Sequence, residues 1–264
     1  EKEDAEGLNL LVPPYRVDVQ RPCDVVEDIL RIYGYNNVEI PTELKSSLTI
    51  AEEADKNYHR ENIIGEQLVG AGFSEIMNNS LTKSSYYEET GLNAYPWEET
   101  VKVMNPLSAD LGVMRQTLLF GGLESIVRNV NRKAQNLRFF EVGNVYKFNK
   151  EKWSEESPVK AYSQDYHMAL WVTGKRVQGS WAHPDEESTF YELKAYVENI
   201  LRRIGIAQGL FVSEKSDNNV FDKAIALKTR AGKVLVEMGI LSHKLLKSFN
   251  IDQKVYYAEL DWAG

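Results

Sequence analysis

The chain has 264 residues, 43% hydrophobic and 27% charged, with a formal net charge of −8; that length allows one large domain or two smaller ones around a sizeable core. The acidic balance excludes a surface that grips nucleic acid or an anionic membrane over its whole extent, while leaving room for a local basic patch. A single cysteine, Cys23, excludes an intrachain disulfide framework. No apolar run approaches the roughly 18–20 residues of a membrane helix and the acidic start does not resemble a signal peptide, so a cytoplasmic location is expected.

In chain order, residues 1–7 are charged and expected to fray. Leu8 to Val12 is apolar, and Pro13-Pro14 forces an extended path. Tyr15, Val17 and Val19 alternate with Arg16, Asp18 and Gln20, the period of a half-buried strand. Pro22 and Asp24 start a helix that Gly34 ends, with Val25, Val26, Ile29, Ile32 and Tyr33 on its apolar face. A polar linker runs from Pro41 to about Ser47, and a domain boundary is placed there, dividing the chain into 1–45 and 46–264.

Beyond the linker, Asn57 to Ala71 reads as a helix with Ile64, Leu68 and Ala71 on one stripe. Phe73 to Leu81 is predicted extended, Thr82 caps a short helix ending near Gly91, Thr100 to Met104 is a short strand, and Ser108 to Met114 a loop. The stretch Gly121–Phe148 organises the rest. It begins as a helix, with Leu123, Ile126, Val127 and Val130 at spacings of three and four, and its Gly121-Gly122 permits close approach of another backbone. It continues as a strand rich in bulky residues, which Gly143-Asn144 is expected to break by a tight turn or bulge. That hairpin is expected at the centre of a sheet. A surface loop follows over 149–165, then a strand over Tyr166–Val172. Thr189 and Glu192 make a possible capping box for a helix that stops at Gly205. Val220–Thr229 and Lys233–Leu241 form a hairpin, Ser242–Phe249 a short helix, and Val255–Trp262 a closing strand. Long helices with mostly hairpin-linked strands point to an α+β fold on an antiparallel sheet.

Familiar catalytic signatures do not occur: there is no phosphate-cradling or dinucleotide glycine loop and no nucleophile elbow, and His59, His167, His183 and His243 lack metal-ligand spacing. The acidic residues of the first segment stand out instead. Asp24, Glu27 and Asp28 are three and four apart, so one helix face can present all three, with Asp18 just upstream. Such hard oxygen ligands suit Mg²⁺. They also suit the N-terminal end of a helix dipole facing solvent. The residues alone leave both readings open.

Residues 12–41, with Pro13, Arg16, Asp18, Asp24, Glu27, Asp28, Arg31, Tyr33, Gly34, Tyr35 and Pro41, resemble the end of the B-five domain in the beta subunit of bacterial phenylalanyl-tRNA synthetase. The family pattern has glutamate where Asp28 stands and one residue fewer between Val38 and Pro41. Downstream, the run Asn105–Tyr146 resembles the family's N-P-L-S…L-R-x-S-L-L-P-G…F-E-x-G-x-V-F, with Thr117 for serine and Tyr146 for the final phenylalanine. FYELKAYVENIL at 190–201 is similar to a further family segment, with Ala195 for glycine. The resemblance spans nearly the whole chain.

That resemblance implies a class II aminoacyl-tRNA synthetase-like antiparallel sheet flanked by helices, preceded by part of a small winged-helix-like B-five domain. It implies a non-catalytic core module that pairs with a catalytic alpha subunit in an alpha2-beta2 heterotetramer, for ATP-dependent attachment of phenylalanine to tRNA(Phe). ATP would be bound by alpha, not by this chain. Asp18, Asp24, Glu27 and Asp28 would hold a Mg²⁺ shared with alpha, Asp28 reaching one methylene less far. Where the class II pattern places a phosphate-binding arginine, this chain has Lys147, a point charge instead of a planar fork. No late glycine–arginine signature precedes the terminal ELDWAG. Arg115 and Arg138 are therefore read as interface or core-edge residues and the chain alone as inactive. Two helices, Asn57–Ala71 and Gly122–Lys133, would dock on alpha. In the alternative reading Arg128, Arg132, Lys133 and Arg138 form a basic patch for tRNA phosphates. The family's editing and anticodon-binding modules have no counterpart here, so the chain is read as an internal fragment starting partway through the B-five domain.

Overall fold

The computed structural model describes residues 2–4, 7–43 and 52–262, and contacts divide the chain into two units, Glu1–Ile50 and Ala51–Gly264. In the first, strands β1 (Lys2–Asp4) and β2 (Gly7–Asn9) pair antiparallel, and helix α1 (Pro22–Tyr33) begins and stops where Pro22 and Gly34 predict. The expected strand over 15–19 is absent. Arg16 N–H donates to the Pro13 carbonyl and Val19 N–H to the Arg16 carbonyl, so the segment is two successive turns. The alternation of Tyr15, Val17 and Val19 therefore lines no sheet face; Tyr15 and Val17 stand exposed. The apolar face of α1 contains no buried residue. The linker from Leu44 onward lies outside the described residues.

The second unit is a seven-stranded sheet covered on both faces. Its elements are α2 (Glu53–Gly70), β3 (Ser74–Glu75), β4 (Leu81–Thr82), α3 (Ser85–Glu88), β5 (Val113–Met114), α4 (Leu119–Asn131), β6 (Leu137–Phe148), β7 (Tyr162–Thr173), β8 (Lys175–Val177), β9 (Glu186–Glu187), α5 (Phe190–Arg203), β10 (Phe211–Ser216), β11 (Phe221–Thr229), β12 (Val234–Leu241), α6 (His243–Ser248) and β13 (Val255–Asp261). The sheet order is β10-β11-β12-β13-β7-β6-β3, antiparallel except where β3 joins β6 in parallel. It belongs to the mixed α+β class.

Period-two patterning explains the layering. In β7, Met168, Leu170 and Val172 join Ile64 and Leu68 of α2 and Leu193, Val197 and Ile200 of α5 in one core. Ala169 and Trp171 face the other way, into a second core with Phe120, Leu123 and Ile126 of α4 and Phe249 just past α6. A strand buried on both faces reads as a continuous apolar run, as MALWV does. Each large side chain so buried contributes roughly 1.5–3 kcal/mol.

Several expectations need correction. Gly143-Asn144 breaks nothing: β6 runs unbroken through it, paired residue for residue with β7 from Leu137↔Thr173 to Phe148↔Tyr162, and the hairpin loop lies at 149–161. Nor is β6 central. It is next to the edge strand β3, while β13 holds the middle. Gly121-Gly122 approaches side chains instead of backbone: a Cβ on Gly122 would come within 2.1 Å of Trp171, and one on Gly121 within 2.8 Å of Asn78. Thr82 caps no helix but pairs with Val113, and the expected strand over 100–104 reduces to one bridge, Lys102↔Val113. At α5, Thr189 Oγ1 accepts from Glu192 N–H, the forward half of the expected box. The Glu192 carboxylate turns instead to Arg138 and Tyr196.

Candidate functional site

The four acids of the first unit lie on the turn before α1 and on its first two turns, and each has a partner. Arg16 forks between two of them, with Nε and Nη2 at 3.2 and 3.1 Å from Asp18 and Nη2 at 2.7 Å from Asp28. Asp24 accepts from Gln20 N–H at 3.0 Å and Arg21 N–H at 2.8 Å, the bonds of an N-terminal cap, and from the Arg21 side chain. These bonds, the backbone donors first, hold its carboxyl down to about 2. Glu27 takes Arg31 at 2.7 Å one turn on. Hydrogen bonding to Arg16 likewise keeps Asp18 below the usual carboxylate range.

The donor chemistry suits a hard cation, and Asp18 with Asp28 already converges on one positive charge, the Arg16 guanidinium. The arrangement as a whole is not an ion cradle: among the described residues no three His, Cys, Asp or Glu side chains are grouped to hold a metal. Asp24 and Glu27 would have to leave their present partners.

In the second unit, polar chemistry concentrates in two buried nodes on the α4 side of the sheet. In one, Arg115 Nη1 lies 2.6 Å from Glu141 Oε1, while its Nε donates to the Asn144 carbonyl and Nη1 also reaches the Asn78 carbonyl. Asn78 donates in turn to Glu141 from both its backbone and its side chain. A Cβ at position 143 would stand 2.3 Å from Arg115 Nη2, which is why this strand carries glycine there. In the other node Glu259 accepts from Thr117 Oγ1, Tyr257 Oη and Leu118 N–H and pairs with His167 Nδ1 at 2.8 Å. Burial opposes both charges, but the bonds between them prevail: Glu259 lies below and His167 above its ordinary pKa.

Three of the cations weighed from sequence, Arg115, Arg138 and Lys147, are thus committed. Arg115 is core, 7% exposed. Arg138 lies 3.0 Å from Glu192 and donates to the Arg176 carbonyl, which removes it from the supposed basic patch. Lys147 faces Glu99 at 3.7 Å. The node at Glu259 has no signal in the sequence, since all its partners except Tyr257 lie 92 to 142 residues away; the register Leu260↔Met168 and Asp261↔His167 is what assembles it.

Comparison with known proteins bears on these observations. Residues 40–262 match the family model described as phenylalanyl tRNA synthetase beta chain CLM domain, and residues 1–35 that of the tRNA synthetase B5 domain. The chain belongs to the phenylalanyl-tRNA synthetase beta-chain family. Among its relatives are the phenylalanine–tRNA ligase beta subunits of Bacteroides fragilis, 56% identical over 260 residues, and Bacteroides thetaiotaomicron, 58% identical over 260 residues. Each alignment covers 98% of this chain and 32% of the relative, so the chain spans about a third of the curated relatives it matches. The fold is shared with a pyrrolysyl-tRNA synthetase from Desulfitobacterium hafniense, with a TM-score of 0.57 over 78% of this chain and 66% of the other at 13% identity. The antiparallel sheet with helices on both faces is therefore a synthetase fold.

Proposed function

We propose that the chain is the non-catalytic core module of a phenylalanyl-tRNA synthetase beta subunit, with the end of a winged-helix-like B-five domain over 1–45 and the core over 46–264. The match to the beta-chain family over residues 40–262 carries this reading. The module pairs with a catalytic alpha subunit in an alpha2-beta2 assembly that attaches phenylalanine to tRNA(Phe) in the cytoplasm, and alpha binds the ATP. The commitment of Arg115 to Glu141 and Arg138 to Glu192 supports a role without phosphate chemistry, because neither guanidinium is left to hold a triphosphate.

The apolar stripes of α2 and α4 are not the docking surface, since Ile64, Leu68, Leu123 and Ile126 are buried in the chain's own core. Tyr58 and Val69 of α2 and Met77 beyond β3 are exposed; this outer face is the better surface for alpha. Phenylalanine-dependent ATP–pyrophosphate exchange tests the assignment: the chain alone is expected to be silent and to raise activity when mixed with its alpha subunit. Exchange by the chain alone would overturn it.

Mg²⁺ is proposed to be held by Asp18, Asp24, Glu27 and Asp28 together with alpha, neutralising carboxylates that Arg16, Arg21 and Arg31 cover at present. Calorimetric titration of Mg²⁺ into the mixed subunits should show binding that Asp18→Asn weakens. Equal binding by the variant would remove these acids from the ligand set.

A further inference from the structure

A cavity of about 360 Å³ opens on the α4 side of the sheet, over β12 and β13. That volume is in the range of small-ligand sites. Its walls carry three acids, Glu237, Glu259 and Asp261, and two basic side chains, Lys147, which faces Glu99, and His167, which pairs with Glu259; Glu237 and Glu259 face each other directly in the β12–β13 register. Like charges placed opposite each other in a sheet repel unless something offsets them. For Glu259 the offset is visible in His167. Glu237 has only neutral donors, Ser216 Oγ and Asn218 Nδ2, and no cation within ion-pair distance among the described residues.

Two further features of the same walls await a positive donor. Gln116, 1% exposed, lines the cavity; its amide nitrogen is spent on the Pro96 carbonyl and Thr100 Oγ1, and its Oε1 is buried without a partner. An orphaned buried carbonyl of this kind is destabilising until a donor reaches it. Phe221 and Tyr257, stacked at 6.2 Å between centroids, supply aromatic wall. Aromatic faces attract cations, and an ammonium brings three donors and no acceptor.

We propose that this cavity binds a small primary amine in its ammonium form, with Glu237 as counter-ion, Gln116 Oε1 as acceptor and the aromatic wall against the ligand's apolar body. The inference is independent of pairing with another subunit and of any catalytic role.

The test is titration of the whole chain with 2-phenylethylamine and with its neutral isostere 2-phenylethanol, followed by calorimetry or NMR shifts. The amine is expected to saturate one site and to bind at least tenfold tighter than the alcohol. Glu237→Gln, which keeps the shape and removes the charge, should weaken the amine by about ten- to a hundredfold, the size of a charge-assisted hydrogen bond. Equal affinity for amine and alcohol, no saturable binding of the amine at millimolar concentration, or full affinity in a folded Glu237→Gln chain would each overturn the proposal. The amine–alcohol comparison uses the unaltered chain and decides the matter even where the variant fails to fold.

Discussion

Arg115 and Arg16 make the same contact, a guanidinium nitrogen 2.6–2.7 Å from a carboxylate oxygen, in opposite surroundings. The Arg115–Glu141 pair is almost wholly dry, with side chains 8% and 2% exposed, and Arg115 Nε and Nη1 have oriented acceptors. Arg16 and Asp28 are about two-fifths exposed. Taking two charges out of water costs more than their attraction returns unless the remaining bonds are complete, and once built, such a pair cannot lose one member cheaply. An exposed pair is screened, competes with water and contributes little. One device therefore fixes the architecture in the second unit. In the first it covers exposed acids and fixes no buried structure.

Four experiments sharpen that contrast. Arg115→Met leaves Glu141 charged and buried and should lower the unfolding free energy by about 3–5 kcal/mol in denaturant titration, while Arg115→Met combined with Glu141→Leu should recover much of the loss. If the double variant is no better than the single, the pair's value lies in its bonds to Asn78 and Asn144. Gly122→Ala pushes a methyl into Trp171 and should cost about 1–3 kcal/mol by overpacking, read as a lower Tm.

The His167–Glu259 pair comes next. With Glu259 lowered, its contribution is complete above the usual 4.5 and is lost as pH falls through the depressed value. With His167 raised, its contribution is complete below the usual 6.5 and is lost as pH rises through the elevated one. The stability gap between the chain and His167→Gln should thus be widest between pH 4.5 and 6.5 and narrow on both sides. A gap independent of pH would mean that packing, not charge, holds the node. Arg16→Ala should have the smallest effect on unfolding, with no change in Tm beyond scatter; a large drop would show that the exposed clasp is structural after all.

Local chemistry that depends on neighbours in sequence was legible. Pro22 and Gly34 bound α1, Thr189 caps α5, and Arg230-Ala231-Gly232 turns the β11–β12 hairpin, because each signal acts within a few residues. What misled was a residue serving a distant partner. Gly143 looks like a turn, yet its missing side chain makes room for a guanidinium 28 residues upstream, and Asn144 offers that guanidinium its carbonyl. Tyr15, Val17 and Val19 alternate like a strand, but turns and the Arg16 fork shape that segment. The acids at 24, 27 and 28 stand out by spacing, while of the arginines that cover the acidic group Arg16 and Arg31 enter the sequence reading as family markers and Arg21 does not enter it. Glu259 has no local signature at all.

The place of β13 has a consequence for how the molecule is made. Last among the described strands in chain order, it lies in the middle of the sheet, between the β10–β12 meander and the β6–β7 hairpin. Until residues 255–261 leave the ribosome, the nascent chain holds two half-sheets, each with a long bare edge of unpaired N–H and C=O groups. Such edges recruit other strands, and pairing of this range is slow to form. Synthesis halted before β13 should therefore yield an aggregating product, and completion of the strand joins both halves, both cores and the Glu259 node in a single late step.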